Sequence, residues 1–328
     1  MRKTMMAVSL AAGLMAMQAS AETLRIAGNF TSDHSSTQAI QAFKAAVEEK
    51  TGGELTIEVF PDMQLGGAGE NVSQTRSGTI AMTWVGMAYL SRTVPELEAV
   101  SLPFLFQDRQ VAYDVIDGEV GDLLAAKLDE KGFKLLGMME LGQRQVTNST
   151  RPIKTAEDLA GLKIRLQPIE SHLATFEALG ANPTPMDIRE VYSALQQKVI
   201  DGQENPYNLI QASRFFEVQP YLSNTGHFFD FISVVANKGV FDGLSPEHQA
   251  VIQDAMGEAV AAQRKAAAEA DVAAFAELQE LGMQYDELPP EEIEKIRAAT
   301  AGVVDQIRER AGSDLVDAVL AAVKAAEG

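Results

Sequence analysis

The sequence predicts an α/β protein of two lobes. Strand-like and helix-like patterns alternate from Glu22 onward, with Gly and Pro at the joins. An Ala-rich stretch from Ser245 to Leu281 has Gly257 as its only helix breaker. At ~1.5 Å per residue its ~36 residues would span roughly 54 Å. The radius of gyration expected for ~300 residues is near 19 Å, so this helix is expected to run along two lobes.

Each element follows from its own residues. Glu22–Asn29 alternates through Leu24 and Ile26 and reads as a first strand. In 35–50, Ile40, Phe43 and Val47 share one helical face, and Thr51-Gly52-Gly53 stops the helix. A second strand follows at Glu54–Phe60, then a loop at 61–69, a short helix at 71–78 and a third strand at 79–85. Past Pro103 a single helix is expected over 108–131, then a buried strand at 133–141. Thr155 caps a short helix ended by Gly161, leading into Leu162–Gln167; 180–186, with Pro183 and Pro185, reads as a loop. Asp187 caps the next helix with Glu190 at N3, and Ile188, Val191, Leu195 and Val199 form its stripe. Ser245-Pro246 is a strong start for the long helix. Two amphipathic helices, 289–312 and 313–326, are expected to close the chain.

Composition narrows the function. The 328 residues carry 46 acids against 27 bases, a formal net charge of −19, which disfavours phosphate backbones and anionic lipid surfaces. A hydrophobic fraction of 46% is ample for a core. With no Cys, disulfides, thiolate metal sites and cysteine nucleophiles are excluded, and the four His are scattered in sequence. No metal and no cofactor is therefore expected. Arg2 and Lys3, the apolar run 5–17 and Ala19-Ser20-Ala21 read as a signal peptide over 1–21. No later apolar run approaches the ~20 residues of a spanning helix, so export without stable membrane insertion is expected.

Sequence motifs for nucleotide, zinc-protease, serine-hydrolase and EF-hand chemistry are absent. Gly67-Ala68-Gly69 lacks the third glycine of a dinucleotide fingerprint, since Val72 stands there, and reads as a tight turn. In Leu162–Gln167, alternation sets Lys163, Arg165 and Gln167 on the face opposite Leu162, Ile164 and Leu166. A strand arginine is commonly solvated or paired, yet at a strand end its planar fork also fits a carboxylate. Arg144, just past a buried strand, offers a second cation, and Asn205 in Asp201–Pro206 an amide in what is otherwise a capped turn. Asn29, Phe30, His34, Glu70 and Trp84 sit near strand ends or helix starts and could line a cleft. Each has a structural alternative: Trp84 as core, His34 as a cap, Glu70 as a partner of its helix dipole.

Several segments together resemble the DctP-type solute-binding proteins of tripartite ATP-independent periplasmic (TRAP) transporters. They are Phe60-Pro61, Gln64-Leu65-Gly66, Leu102-Pro103-Phe104, Gly142-Gln143-Arg144, Thr147-Asn148-Ser149, Asp158–Arg165, Gly180–Met186, Glu190-Val191-Tyr192 and Asp201–Pro206. The resemblance spans essentially the whole chain after residue 21. It implies a two-lobed periplasmic-binding-protein fold with mixed sheets, a ligand cleft between the lobes and the long helix beneath both. The expected lobes are 22–142 with 231–270, and 143–230 with 271–328. It also implies that Arg165 forms the main salt bridge to a substrate carboxylate, that Asn205 adds a hydrogen bond and that Arg144 contributes nearby. The partners implied are a small organic acid and the small and large permease subunits, and the location is the periplasm.

The polar groups Glu70, Gln143, Asn148, Gln167 and Asn205 suit a hydroxyl-rich acid such as a hexuronate or an aldonate. A C4-dicarboxylate held by Arg144 and Arg165 is the rival solute; an aromatic-caged zwitterion on Phe30, Trp84 and Phe229 is a third. The alternative of another class is a secreted hydrolase or lyase using Glu70 or Glu204. It would need two groups with pKa values pushed apart, and no such pair is legible, so no catalytic residue is expected.

Overall fold

All nine strands among the described residues, 21–328 of the computed structural model, join one mixed sheet. The signal-peptide reading falls, but for Ala21, outside those residues. β1 (Glu22–Gly28), α1 (Ser35–Lys50), β2 (Leu55–Phe60), α2 (Ala68–Ser77), β3 (Met82–Gly86) and α3 (Ala88–Ser91) begin the chain. A 3-10 turn at Pro95–Val100 leads to α4 (Arg109–Ile116), α5 (Glu119–Glu130) and the 16-residue β4 (Phe133–Asn148). After a second turn, Ala156–Leu159, come β5 (Lys163–Leu166), α6 (Glu170–Ala178), β6 (Asn182–Pro185), α7 (Ile188–Gln196), β7 (Gly202–Asn205) and α8 (Tyr207–Ala212). The 17-residue β8 (Tyr221–Asn237) returns through the molecule to α9 (Lys238–Gly243) and the 35-residue α10 (Pro246–Glu280). β9 (Gln284–Glu287), α11 (Pro290–Thr300), α12 (Val303–Ala311) and α13 (Ser313–Glu327) complete it.

The sheet order is β2-β1-β3-β8-β4-β7-β5-β6, with β9 beside β8. β1 lies parallel to β2 and β3 at one end, and β5 parallel to β6 and β7 at the other. The antiparallel pair β4–β8 joins the two ends. β3 pairs with the C-terminal part of β8, while β7 pairs with the C-terminal part of β4. Where the two ends meet, the β4–β8 register shifts between Glu140 and Gly142, with Gly142 opposite Asp230. Gly142 has φ +119°, open to glycine and strained for other residues, so the strand can bend there.

Three expectations are refined. The single helix at 108–131 is two, divided at Asp117-Gly118; a Cβ on Gly121 would lie 1.9 Å from the Ile116 carbonyl oxygen, so only glycine allows that join. The Pro183–Pro185 segment is an edge strand, β6, where proline is tolerated. The stretch 289–312 breaks at Ala301-Gly302 into α11 and α12.

Within 271–328, α12 and α13 pack largely on elements of the 22–142 segment, and α12 also touches α6. Val303, Ile307, Ala311, Val316, Val319 and Val323 share a core with Leu97, Val115, Leu124 and Val235. Their apolar stripe is therefore buried against the 3-10 turn at Pro95–Val100, α4 and α5.

The long helix bridges both ends as expected. Ser245 caps it by accepting from the His248 N–H, with Pro246 in the first turn. Gln263 exchanges hydrogen bonds with the Glu140 backbone, its Oε1 accepting from the N–H and its Nε2 donating to the carbonyl, both at 2.8 Å. Arg264 donates to the Met138 carbonyl and pairs with Asp117. Seven residues on, buried Asp271 accepts from the backbone N–H of Asn208 at 3.2 Å, holding the first turn of α8.

Burial raises the Asp271 carboxyl to about 6, from an ordinary 3.8. The folded state therefore binds this proton more tightly than the unfolded chain, and the contribution of Asp271 to stability falls as pH rises from about 4 to 6. Asp271→Asn keeps an acceptor for Asn208 without the buried charge. The variant is expected to match or exceed the parent at pH 7.5, by up to roughly 2–3 kcal/mol, and to lack the parent's loss across pH 4–6. Urea denaturation at several pH values checks this; an identical pH slope in both proteins refutes it.

Candidate functional site

At the junction of the two ends, β1, β3, β4, β5 and β7 converge on one small cavity. Its walls are Asn29, Phe30, Gly86, Tyr89, Leu141, Arg165, Gln167, Ile188, Asn205 and Leu209. Of the residues singled out in the sequence, Arg165, Asn205, Gln167, Asn29 and Phe30 are thus brought together. Tyr89, Gly86, Leu141, Ile188 and Leu209 were not anticipated. Tyr89 was findable, because it stands three residues past the end of β3.

Arg165 is buried on β5. Its Nε and Nη2 donate to the Met186 carbonyl at 2.9 and 2.7 Å, and Nη2 also donates to the Tyr89 hydroxyl at 3.3 Å. Nη1 is buried without a hydrogen-bond partner among the described residues. Two of the fork's three nitrogens thus fix its plane, and the third keeps donors to offer. Burial raises the Tyr89 phenol above its ordinary value, so its O–H stays in donor form. Asn29 Oδ1 is likewise buried and without a partner among the described residues.

The amides are oriented from behind. Gln167 Nε2 donates to Asp230 Oδ2 at 2.7 Å, and Arg144 Nη2 donates to Asn205 Oδ1 at 3.0 Å. Asn205 Nδ2 then donates to Gln203 Oε1 and retains a second proton. Gly86 leaves room close by, since a Cβ there would approach Gln167 Oε1 to 3.0 Å and press on its amide.

Arg144 is therefore not a cavity cation. It lies fully buried behind Asn205, bonded through Nε and Nη2 to the Glu204 carboxylate and 3.2 Å from Asp230 through Nη1. Burial opposes ionisation of Glu204, but Arg144 and the hydrogen bond from His227 outweigh it and hold the carboxyl well below its usual range. His227 is held below its ordinary value by burial. Asp230 also lies below its usual range: burial opposes ionisation, but His172, 3.6 Å away, and Arg144 prevail.

The other candidates are placed elsewhere. Trp84 is core, fully buried with Ile26, Phe43 and Ile232, and its ring lies 2.4 Å from where a Cβ on Gly28 would fall. His34 is the α1 N-cap, its Nδ1 accepting from the Ser36 N–H at 3.1 Å while its ring stacks on Phe30. Burial lowers it to about 4 and keeps it neutral. Glu70 is exposed; it accepts from the Gly67 N–H at 2.7 Å and reaches Arg189 at 3.4 Å. That pair joins α2 to α7. A wider depression of about 590 Å³, lined by Tyr89, Met186 and Asp187 among others, lies on the outer side of the Tyr89–Met186 wall. Phe228 stacks on His172 and Phe229 packs with Phe106 and Phe231, so both are core. Among the described residues no group of His, Asp and Glu side chains could hold a metal ion, and no helix is long and apolar enough to cross a membrane.

The DctP family model, described as bacterial extracellular solute-binding protein family 7, matches residues 26–311. The 2,3-diketo-L-gulonate-binding periplasmic protein YiaO of Escherichia coli is 42% identical over 261 residues, 79% of this chain and 80% of its own. The C4-dicarboxylate-binding periplasmic protein DctP of Rhodobacter capsulatus is 31% identical over 282 residues, 85% and 84% of the two chains. Among solved structures, the sugar acid binding protein DctPAm from Advenella mimigardefordensis, in complex with galactonate, superposes with a TM-score of 0.91. That match has 35% identity and covers 93% of this chain and 99% of the other.

The contrast between the two arginines is testable by unfolding. Arg144→Met leaves two buried carboxylates without their cation and is expected to cost about 3–5 kcal/mol. Arg165→Met removes no carboxylate's partner and is expected to cost less than half as much. Equal losses in calorimetric scans of the two variants would refute the division of roles.

Proposed function

The chain belongs to the DctP family of bacterial extracellular solute-binding proteins, and from that premise we propose that it captures a sugar acid in the periplasm for a TRAP permease. The solute class is a hexuronate or an aldonate, and the protein acts by binding and release. The partners are the permease's small and large membrane subunits.

One observation carries this reading: a buried guanidinium with no carboxylate paired to it and one nitrogen unpaired among the described residues, in a cavity otherwise walled by amides, a phenol and apolar side chains. A guanidinium stays charged when dry and offers a carboxylate parallel donors. Asn29, Gln167 and Asn205 supply acceptors and donors for hydroxyls. A C4-dicarboxylate is favoured less, because Arg144, the cation its second carboxylate would need, is already engaged by Glu204 and Asp230. The relative that binds diketogulonate and the neighbour complexed with galactonate support a sugar acid, and the C4-dicarboxylate relative keeps the rival in the test.

The hydrolase or lyase reading loses its residues. Glu204 is held ionised inside an ion pair, and Glu70 is held below its usual range by the Gly67 N–H and then by Arg189. Neither is poised as a proton donor near neutrality.

The cavity is about 20 Å³, room for about one water, whereas small-molecule sites run to roughly 300–1,000 Å³. Entry therefore requires the lobes to part, and Gly142 opposite Asp230 is where β4 can bend. A thermal-shift screen of galactonate, galacturonate, glucuronate and succinate tests the reading. A cognate acid at 100 times its Kd should add roughly 2.7 kcal/mol. Arg165→Lys should lose most of that binding while the ligand-free protein unfolds near the parent temperature. Unchanged affinity in calorimetry of Arg165→Lys would refute the anchoring role, and turnover of a uronate by the pure protein would refute pure binding.

A further inference from the structure

We propose that Asp230, which lies outside the cavity wall, sets solute selectivity by locking the Gln167 amide with its oxygen toward the ligand. The inference rests on the sugar-acid reading above and names the device that separates hydroxy acids from dicarboxylates. Asp230 is 3% exposed, at the β8 position facing the Gly142 bend. Its Oδ2 accepts from Gln167 Nε2 at 2.7 Å and lies 3.2 Å from Arg144 Nη1. Its Oδ1 accepts from Ser101 Oγ at 3.1 Å and lies 3.6 Å from His172 Nε2. The carboxylate is thus held on both oxygens and cannot turn to follow a flipped amide.

A carboxylate accepts only, so the group that Gln167 turns toward it must be the NH2. The reversed amide would set Gln167 Oε1 against Asp230 Oδ2 and leave the NH2 without this acceptor. Oε1 is thereby directed at the cavity beside Gly86, where the absence of a side chain leaves it room. Asn29 Oδ1 lines the same cavity without a partner among the described residues. Two acceptors therefore face the part of the ligand that Arg165 does not hold. A hydroxyl satisfies such an acceptor by donating. A second carboxylate brings only acceptors and meets repulsion, which sites of this kind turn into rejection. Asp230 touches no ligand in this arrangement and is a positioning residue.

The test compares Kd for galactonate and for succinate by calorimetry in the parent, Asp230→Asn and Gln167→Met. Asparagine at 230 can accept or donate toward Gln167, so the amide is released. The galactonate preference should narrow by about tenfold or more, with succinate affinity rising, the order of one redirected hydrogen bond. Gln167→Met leaves Asp230 paired with Arg144 and removes the acceptor, so galactonate should weaken about tenfold while succinate is unchanged or tighter. A purely structural role for Asp230 would lower the unfolding temperature and leave the ratio of the two affinities as in the parent. That result in Asp230→Asn overturns the inference. Should Asp230→Asn fail to fold, a parent-like ratio in Gln167→Met overturns it equally. If the parent itself binds no sugar acid, the functional reading has failed; if the parent prefers galactonate and both variants keep its ratio, only this inference has.

Discussion

A permanent positive charge in a dry cavity is the constraint around which the rest of this structure is arranged. A buried guanidinium is tolerable only where its protons are met, and the chain solves this differently for its two interior arginines. Arg144 is neutralised by two carboxylates: Glu204 bonds its Nε and Nη2, Asp230 lies 3.2 Å from its Nη1, and Nη2 also donates to the Asn205 amide oxygen, an arrangement that stiffens the wall. Arg165 is met by one carbonyl and one phenol, leaving Nη1 unpaired among the described residues. Glu204 and Asp230 are both engaged with Arg144, and among the described residues no carboxylate forms an ion pair with Arg165. That division is what the proposed function needs: one cation to bind an anion and the other to hold the cavity wall in shape.

The same division explains why the site sits on long elements. β4 and β8 each run through both ends of the sheet, and the cluster of Arg144, Glu204 and Asp230 lies across them and β7. Beneath, α10 is fastened to the first lobe by Gln263 and Arg264 and to the second by Asp271. A relative movement of the lobes must therefore be taken up between these fastenings and at the register shift beside Gly142. Pieces of wall stay rigid while the angle between them changes, which is what a hinge requires.

Much of this was legible in the residues. The caps at Asp187 and Ser245, the length of α10 and the strand that carries Arg165 follow from local chemistry and periodicity. The meeting of Arg165 and Asn205 in one cavity was legible as well, once the ordered motifs are seen together. Long-range compensation was not legible. Arg144 looks like a free cation until β7 brings Glu204 beside it and β8 brings Asp230. Asp230 itself carried a signal, a lone acid inside Phe228-Phe229-Asp230-Phe231, but its partner Gln167 is 63 residues away. Trp84 and Glu70 sit at plausible strand and helix ends; which way each points is set by neighbours such as Gly28 and Arg189 that periodicity does not specify. The fate of α12 and α13 was hidden for the same reason, since an apolar stripe states that a helix is covered but not by what.

Closure of the lobes is where these facts meet. Parting them exposes Arg165 Nη1 and Asn29 Oδ1 to water, and bringing them together withdraws both from bulk solvent. A buried donor or acceptor left unmet costs about 1–3 kcal/mol, and more when charged. Against this, the Glu70–Arg189 pair between α2 and α7 is exposed, and solvent-exposed pairs contribute little. That pair is therefore too weak to hold the lobes shut by itself. On the function proposed above, closure becomes favourable when a solute brings an anion for the guanidinium and a hydroxyl for the amide oxygen. Those unmet groups would then make the closed form conditional on the solute, which is the difference in shape a permease would need.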